Sequence, residues 1–387
     1  MIKDKKTTRQ TKQKNTQNSN GTLIDQLIAT IYQMFDIFKE ERKFIILITV
    51  MFLIAGIIYP YPGIAMWFGF LLAAYSAVSN DSIQTIGTFI ASNADRKWYV
   101  LWLFIGGIFL MTVTFSWLSF YGDVSYQRLL KYEPDGRLSF PHPESFGFLQ
   151  IAAPIFLLII TRLRMPVSTT FLLLSCFAIS PSAIGSVLNK SITAYFLAFG
   201  LGFLVWISIT GLTKKYFKGK PATWWTIAQW ITSGSLWSVW IMQDAANIAI
   251  YLPRQLDFFQ FLGFALIVFF GLGLLFYLKG DKIQQIVNEK SEVTDIRAAT
   301  IIDLVYAGIL VYKLMDSRVP MSTTWVFIGL LGGREIAMRL RTKHKLKPAL
   351  RMIGKDAGLA IIGLIVSIVL AMSVNPDFQK EIINLFK

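Results

Sequence analysis

Apolar stretches recur along almost the whole chain, and short clusters of Lys and Arg separate them. They fall at about 44–59, 64–93, 98–118, 147–161, 166–186, 190–213, 222–252, 256–278, 298–315, 320–338 and 356–373. Roughly 20 apolar residues are needed for a helix to cross a bilayer, and only helices or closed barrels can satisfy their backbone there. The pattern therefore predicts an all-α polytopic membrane protein with the lipid bilayer as its solvent. Only 16% of residues are charged, against roughly 25% in an ordinary soluble domain. The one cysteine, Cys176, excludes a disulfide scaffold. His142 and His344 are too few to make a zinc or haem site. A net charge of +15 does not predict a nucleic-acid partner, because the basic residues cluster between apolar stretches. Lys214, Lys215, Lys218 and Lys220 form one cluster and Arg339 to Lys355 another, as on cytoplasmic loops.

The chain opens on a polar, basic segment, residues 1–22, expected to be a disordered cytoplasmic tail. Residues 23–41 repeat apolar positions at helical spacing. They read either as an amphipathic helix lying in the membrane interface or as a helix packed on another cytoplasmic element. Residues 42–60 form one further transmembrane helix, and 374–387 a C-terminal tail.

Between these, two motifs each occur twice. Asn80-Asp81-Ser82-Ile83-Gln84 is echoed by Gln243-Asp244-Ala245-Ala246-Asn247, and Pro166-Val167-Ser168-Thr169-Thr170 by Pro320-Met321-Ser322-Thr323-Thr324. The copies lie 163 residues apart for the Asp and 154 for the Pro, in the same order. This divides the chain into a first repeat, 61–213, and a second, 214–373. Several apolar segments are too short to span alone and two are long but interrupted, as in transporters built from internal repeats. With the basic clusters kept on one side and the N-terminus inside, the second repeat starts on the opposite side from the first. The expected architecture is an inverted-repeat secondary transporter with two broken helices and two re-entrant hairpins, 147–186 and 298–338.

The duplicated motifs suit two kinds of ion. Asp81 and Asp244 are acids within apolar helices, where a charge costs about 2.5–3.5 kcal/mol on insertion scales. With Asn80, Gln84, Gln243 and Asn247 beside them, their oxygens suit a hard cation such as Na⁺. The alternative is structural glue, an acid satisfied by neighbouring amides. Ser168, Thr169 and Thr170, and likewise Ser322, Thr323 and Thr324, follow a proline and begin a new helix. Free N–H groups, the helix dipole and the hydroxyls would together hold a small oxyanion; alternatively the triads only cap the hairpins. Arg162, Arg164 and Arg318 flank the hairpin tips and read as snorkelling or paired cations, Arg318 with Asp316. Asp303 is expected near the membrane surface, too far along its helix to pair with Lys313. No nucleophile–base pair and no phosphate loop is present, so an enzyme is not expected and no cofactor is implied beyond a coupling ion.

These motifs resemble those of the inorganic phosphate transporter (PiT) family, which carries two inverted copies of a G-A-N-D-V-A-N-A-like motif and two of P-V-S-T-T-H. The first copy here keeps Asn80-Asp81 and the trailing Gly87-Thr88; the second keeps Asp244 and Asn247, and both Ser-Thr-Thr triads are intact. Gln84 and Gln243 replace asparagines, glycine is missing before both acid motifs, and Phe171 and Trp325 stand where the family has histidine. The resemblance covers about residues 64–373. It implies Na⁺- or H⁺-coupled uptake of inorganic phosphate by alternating access across the cell (inner) membrane, often by a dimer. Asp81, Asp244 and their amides would hold cations, and the two hydroxyl triads the anion. Sulfate or another small oxyanion is the alternative substrate, and a non-transporting membrane scaffold or receptor the alternative class.

Overall fold

The computed structural model describes residues 41–133, 136–163, 167–217, 219–278 and 295–374, with Gln379 and Ile383; the side chains of 82–84 and 212–216 fall outside the description. The expected basic tail, nearly all of the amphipathic helix and most of the C-terminal tail lie outside the described residues. The chain divides into two units, Met1–Leu53 and Ile54–Lys387. The helix α1 (Arg42–Ile58) matches the additional apolar span; its first residues are the described part of the first unit.

Among the described residues the second unit is built of helices: α2 (Pro62–Thr85), α3 (Gly87–Ser92), α4 (Trp98–Ser119), α5 (Phe148–Arg162), α6 (Pro181–Tyr216), α7 (Thr223–Ala249), α8 (Phe258–Tyr277), α9 (Ile296–Asp316), α10 (Thr323–Arg341) and α11 (Lys347–Val374). Among the described residues the only extended pairing is an isolated bridge between Tyr132 and Leu138. Six helices are long and apolar enough to cross a membrane: α2, α4, α6, α8, α9 and α11. Their outward faces expose large apolar side chains, among them Met111, Leu118, Phe196 and Phe270, which water would not tolerate in such number. The chain is a multi-pass, all-helical membrane protein.

Local chemistry sets the helix ends. Pro62 opens α2, where its missing N–H costs nothing. Ser180 accepts from the Ala183 N–H at 3.2 Å and Pro181 follows it, starting α6. Asp257 and Gln260 form a reciprocal capping box on α8. At the other end of α7, the Arg254 guanidinium donates to the carbonyls of Ala249, Ile250 and Leu252 (3.4, 3.1 and 2.7 Å). It thereby satisfies the helix's last acceptors and places a cation at the negative end of its dipole.

The first acid motif sits before a true break. The Thr85 hydroxyl bonds back to the Asp81 carbonyl at 3.0 Å, competing with the helical ladder. The chain then leaves the helix at Ile86 and restarts at Gly87. The second motif differs from the expectation. α7 runs unbroken through Asp244 and ends five residues later, so one helix is broken, not two. The hairpins are also unequal. In the first, α5 has 15 residues and is followed by a π-helical turn, Thr170–Leu174, and a 3₁₀ turn, Ser175–Phe177. In the second, both arms are full helices, α9 with 21 residues and α10 with 19.

α6 lies directly along α10, and α7 along α9. The α6–α10 seam is built on small residues: a Cβ added at Gly333 would lie 2.0 Å from the Phe199 carbonyl oxygen, and one at Gly329 2.5 Å from that of Tyr195. Glycine there lets two backbones touch, as is common between membrane helices.

Candidate functional site

The two elbows that begin the Ser-Thr-Thr segments meet in the interior. Ser168 accepts from the Phe171 N–H at 3.2 Å, and Ser322 from the Trp325 N–H at 3.3 Å. The same cap thus recurs with the same offset, as serine caps are expected to form. The next residues tie the elbows to each other. Thr170 donates to the Met321 carbonyl at 3.0 Å, and Thr324 donates to the Val167 carbonyl at 3.3 Å. Donor and acceptor in one bond are the sequence equivalents of donor and acceptor in the other. Reciprocal contacts of this kind arise where two like elements face each other across a local two-fold axis. The rings of Phe171 and Trp325, 5.3 Å apart, pack across the same junction.

Asp244, on α7, is held from both elbows. One oxygen accepts from Thr323 in a short bond; the other accepts from Asn247 at 3.0 Å and lies 3.4 Å from the Thr170 hydroxyl, whose hydrogen the Met321 carbonyl shares. Asn247 also donates toward Thr169 and Thr170, at 3.0 and 3.1 Å. Asp81, on α2, accepts from its neighbour Asn80 at 2.8 Å, while Asn80 donates to Val167 of the first elbow at 3.0 Å. Thr169 stands beside Asp81, and the two carboxylates are close enough to repel each other. Thr169 is thus to Asp81 what Thr323 is to Asp244. Gln243 reaches the Leu310 carbonyl on α9 at 3.4 Å.

All of these side chains are buried, and their satisfaction is uneven. Among the described residues, three oxygens in the cluster have no donor: Asp81 Oδ2, Gln243 Oε1 and Asn247 Oδ1. Buried polar atoms are rarely left without a partner, and here all three are acceptors. The donors, by contrast, are spent. Thr170 and Thr324 fasten the elbows and Thr323 serves Asp244, while Ser168 and Ser322 accept as caps. The structure brings together Asn80, Asp81, Gln243, Asp244, Asn247 and both triads; the side chain of Gln84 and all of Pro166 lie outside the described residues.

Sequence reasoning placed other residues wrongly or missed them. Asp303, seven residues into α9, is fully buried within the protein. It accepts from Thr88 at 2.7 Å and from Ser233 in a short bond, and the network continues through Gln229 and Asn93 (3.0 and 2.9 Å). Asp316 pairs with Lys313 at 3.0 Å, not with Arg318. Arg128 and Lys190, not singled out from sequence, are buried against the second elbow. Burial pulls the Arg128 guanidinium down to about 10, a loss offset in part by the charge of Asp244. Lys190 carries a signal in hindsight, a lysine nine residues into an apolar helix. Arg128 lies in a loop with many other charges and carries none.

The class defined by this fold is a polytopic helical membrane protein with two elbows and two acids at its centre. The fold matches a solved structure described as "The sodium-dependent phosphate transporter", with a TM-score of 0.55 and 17% identity, over 87% of this chain and 100% of that one. No protein-family model matches the chain, and no curated protein sequence matches it.

Proposed function

We propose that the chain is a cation-coupled secondary transporter of a small oxyanion, inorganic phosphate first, working by alternating access. The single observation that supports this best is the set of three oxygens without a donor among the described residues, Asp81 Oδ2, Gln243 Oε1 and Asn247 Oδ1, in a buried cluster shared by two elbows. Oxygen-only ligands of mixed carboxylate and amide type suit Na⁺, and a proton on a carboxylate is the other way to neutralise the pair. A bound cation would draw Asp244 away from Thr323 and Thr170. Those hydroxyls, with the N–H groups of both elbows, would then be available to an anion. In this reading the cation must precede the anion, which is what coupling requires. The reciprocal elbow bonds support two related halves, and the charge pattern supports their inverted orientation with the N-terminus in the cytoplasm and the protein in the cell membrane. Uptake of labelled phosphate and sulfate into proteoliposomes, with and without a Na⁺ or proton gradient, tests the proposal. Gradient-dependent uptake of one oxyanion is expected; no uptake of either under any gradient would overturn it. The solved transporter of this fold makes phosphate with sodium the first pair to try.

A further inference from the structure

Two buried cations near the elbows have no carboxylate partner among the described residues. Arg128 is 2% exposed and Lys190 6%. Both are spent on the same neutral acceptors. The Ser317 carbonyl accepts from Arg128 Nη1 at 2.9 Å and from Lys190 Nζ at 2.8 Å; the Val319 carbonyl accepts from the same two atoms at 3.1 and 2.8 Å. Sharing acceptors at hydrogen-bond length holds the two positive groups within about 6 Å of each other.

Neutral carbonyls compensate a buried like-charge pair poorly; an anion compensates it well. The nearby carboxylates are committed, Asp316 to Lys313 and Asp244 to its hydroxyls and amide. Donor capacity is left over. Lys190 has three hydrogens and two partners. Arg128 gives one hydrogen to the Met242 carbonyl and one to that of Leu314, besides the two at Nη1, leaving a fifth. The loop is shaped to deliver this side chain. The Asp123 carboxylate gathers the Ser125 and Gln127 N–H groups (2.9 and 2.5 Å), and Tyr126 and Gln127 take positive φ just before Arg128.

We infer that Arg128 and Lys190 form a staging site for a tetrahedral oxyanion, at the flank of the second elbow and two residues from Met321. At most about 7 Å of extended chain separates Val319 from Met321, so an anion there stands next to the hydroxyl triads. It binds by replacing the Ser317 and Val319 carbonyls on both cations, since charge-assisted bonds are about twice as strong as neutral ones. That exchange also frees the elbow's tip. The site's chemistry stands by itself; its place in a transport cycle rests on the function proposed above.

The experiment is equilibrium binding of labelled phosphate and sulfate to the purified full chain in lipid nanodiscs, with uptake measured in parallel. Lys190→Gln and Arg128→Lys are each expected to weaken binding about tenfold. Saturating anion is expected to slow acetylation of Lys190 in the wild-type protein, read by peptide mass spectrometry, which decides the matter even if a variant fails to fold. Unchanged affinity in folded variants, or no protection of Lys190, overturns the site. Uptake with wild-type apparent affinity in both variants removes the site and leaves transport standing. Binding and protection without uptake sustain the site and remove transport. Wild-type protein that neither binds nor takes up either anion overturns both.

Discussion

Replacing Asp244 by Asn separates the chemistry of the central acid from its packing. The side chain keeps its shape and loses one charge and one acceptor. Two groups now donate fully to the carboxylate, Thr323 on one oxygen and Asn247 on the other, with the Thr170 hydroxyl 3.4 Å from the second. With its oxygen facing Asn247, the new amide keeps the second set. Its NH₂ then faces Thr323, whose hydroxyl already accepts from Trp240 Nε1 at 3.3 Å and has a second lone pair to offer. The contact with Thr323 is remade with its direction reversed and only the Thr323 hydroxyl hydrogen loses its acceptor, so the cost to folding is held to about 1 kcal/mol, the net worth of one bond. The effect on the cation is much larger, because one of two carboxylates is gone. A cation at 100 times its Kd stabilises a protein by about 2.7 kcal/mol. We expect Na⁺, or acidification, to raise the melting temperature of the wild-type protein and to leave that of Asp244→Asn unmoved. Coupled uptake in the variant should fall at least 100-fold while its amount in the membrane is unchanged. An equal cation-induced shift in both proteins, or normal uptake by the variant, would refute the assignment of Asp244 to the cation.

Other outcomes follow from single contacts. Gly333→Ala should cost about 3 kcal/mol or abolish folded protein, because its Cβ would meet the Phe199 backbone at 2.0 Å and neither helix can give; a normal yield and melting temperature would mean the seam is looser than drawn. Asp303→Leu should destabilise by about 3 kcal/mol, since Thr88 and Ser233 lose their acceptor in a dry interior, whereas Asp303→Asn should recover more than half of that in the same melting assay. Asp295, at the start of α9, is held below the usual carboxylate range by hydrogen bonds from Arg297. Its contribution should be complete above about pH 4 and lost as pH falls through its lowered value; the acid limb of a pH–stability curve should therefore flatten in Asp295→Ala.

Much of the fold could be read from hydrophobic periodicity alone, because lipid makes apolar length a nearly sufficient signal. The elbows were legible for a local reason: Ser168 and Ser322 cap as their sequence context dictates, and a cap needs nothing from elsewhere in the chain. Helix α6 was misjudged at its start. Lys190 appeared to mark its edge, but Pro181 after Ser180 begins it, so the lysine sits about 14 Å inside. A buried cation held by carbonyls of a distant loop has no pattern in one dimension, and the same is true of Arg128. The bonds of Asp303 were not legible because its partners, Thr88 and Ser233, lie 215 and 70 residues away. The break near Asp81 and the continuity at Asp244 differ although the motifs match. The first helix ends four residues after its acid, at Thr85, whereas the second continues to Ala249, where Arg254 gathers the last carbonyls.

The mutual fastening of the elbows, Thr170 to Met321 and Thr324 to Val167, bears on direction. A latch made of two equivalent catches is no easier to spring from one side than from the other. For the transport proposed above, net flow would then be left to the gradients on either side, and any built-in bias would have to come from what grips one catch alone, as Arg128 and Lys190 grip the second.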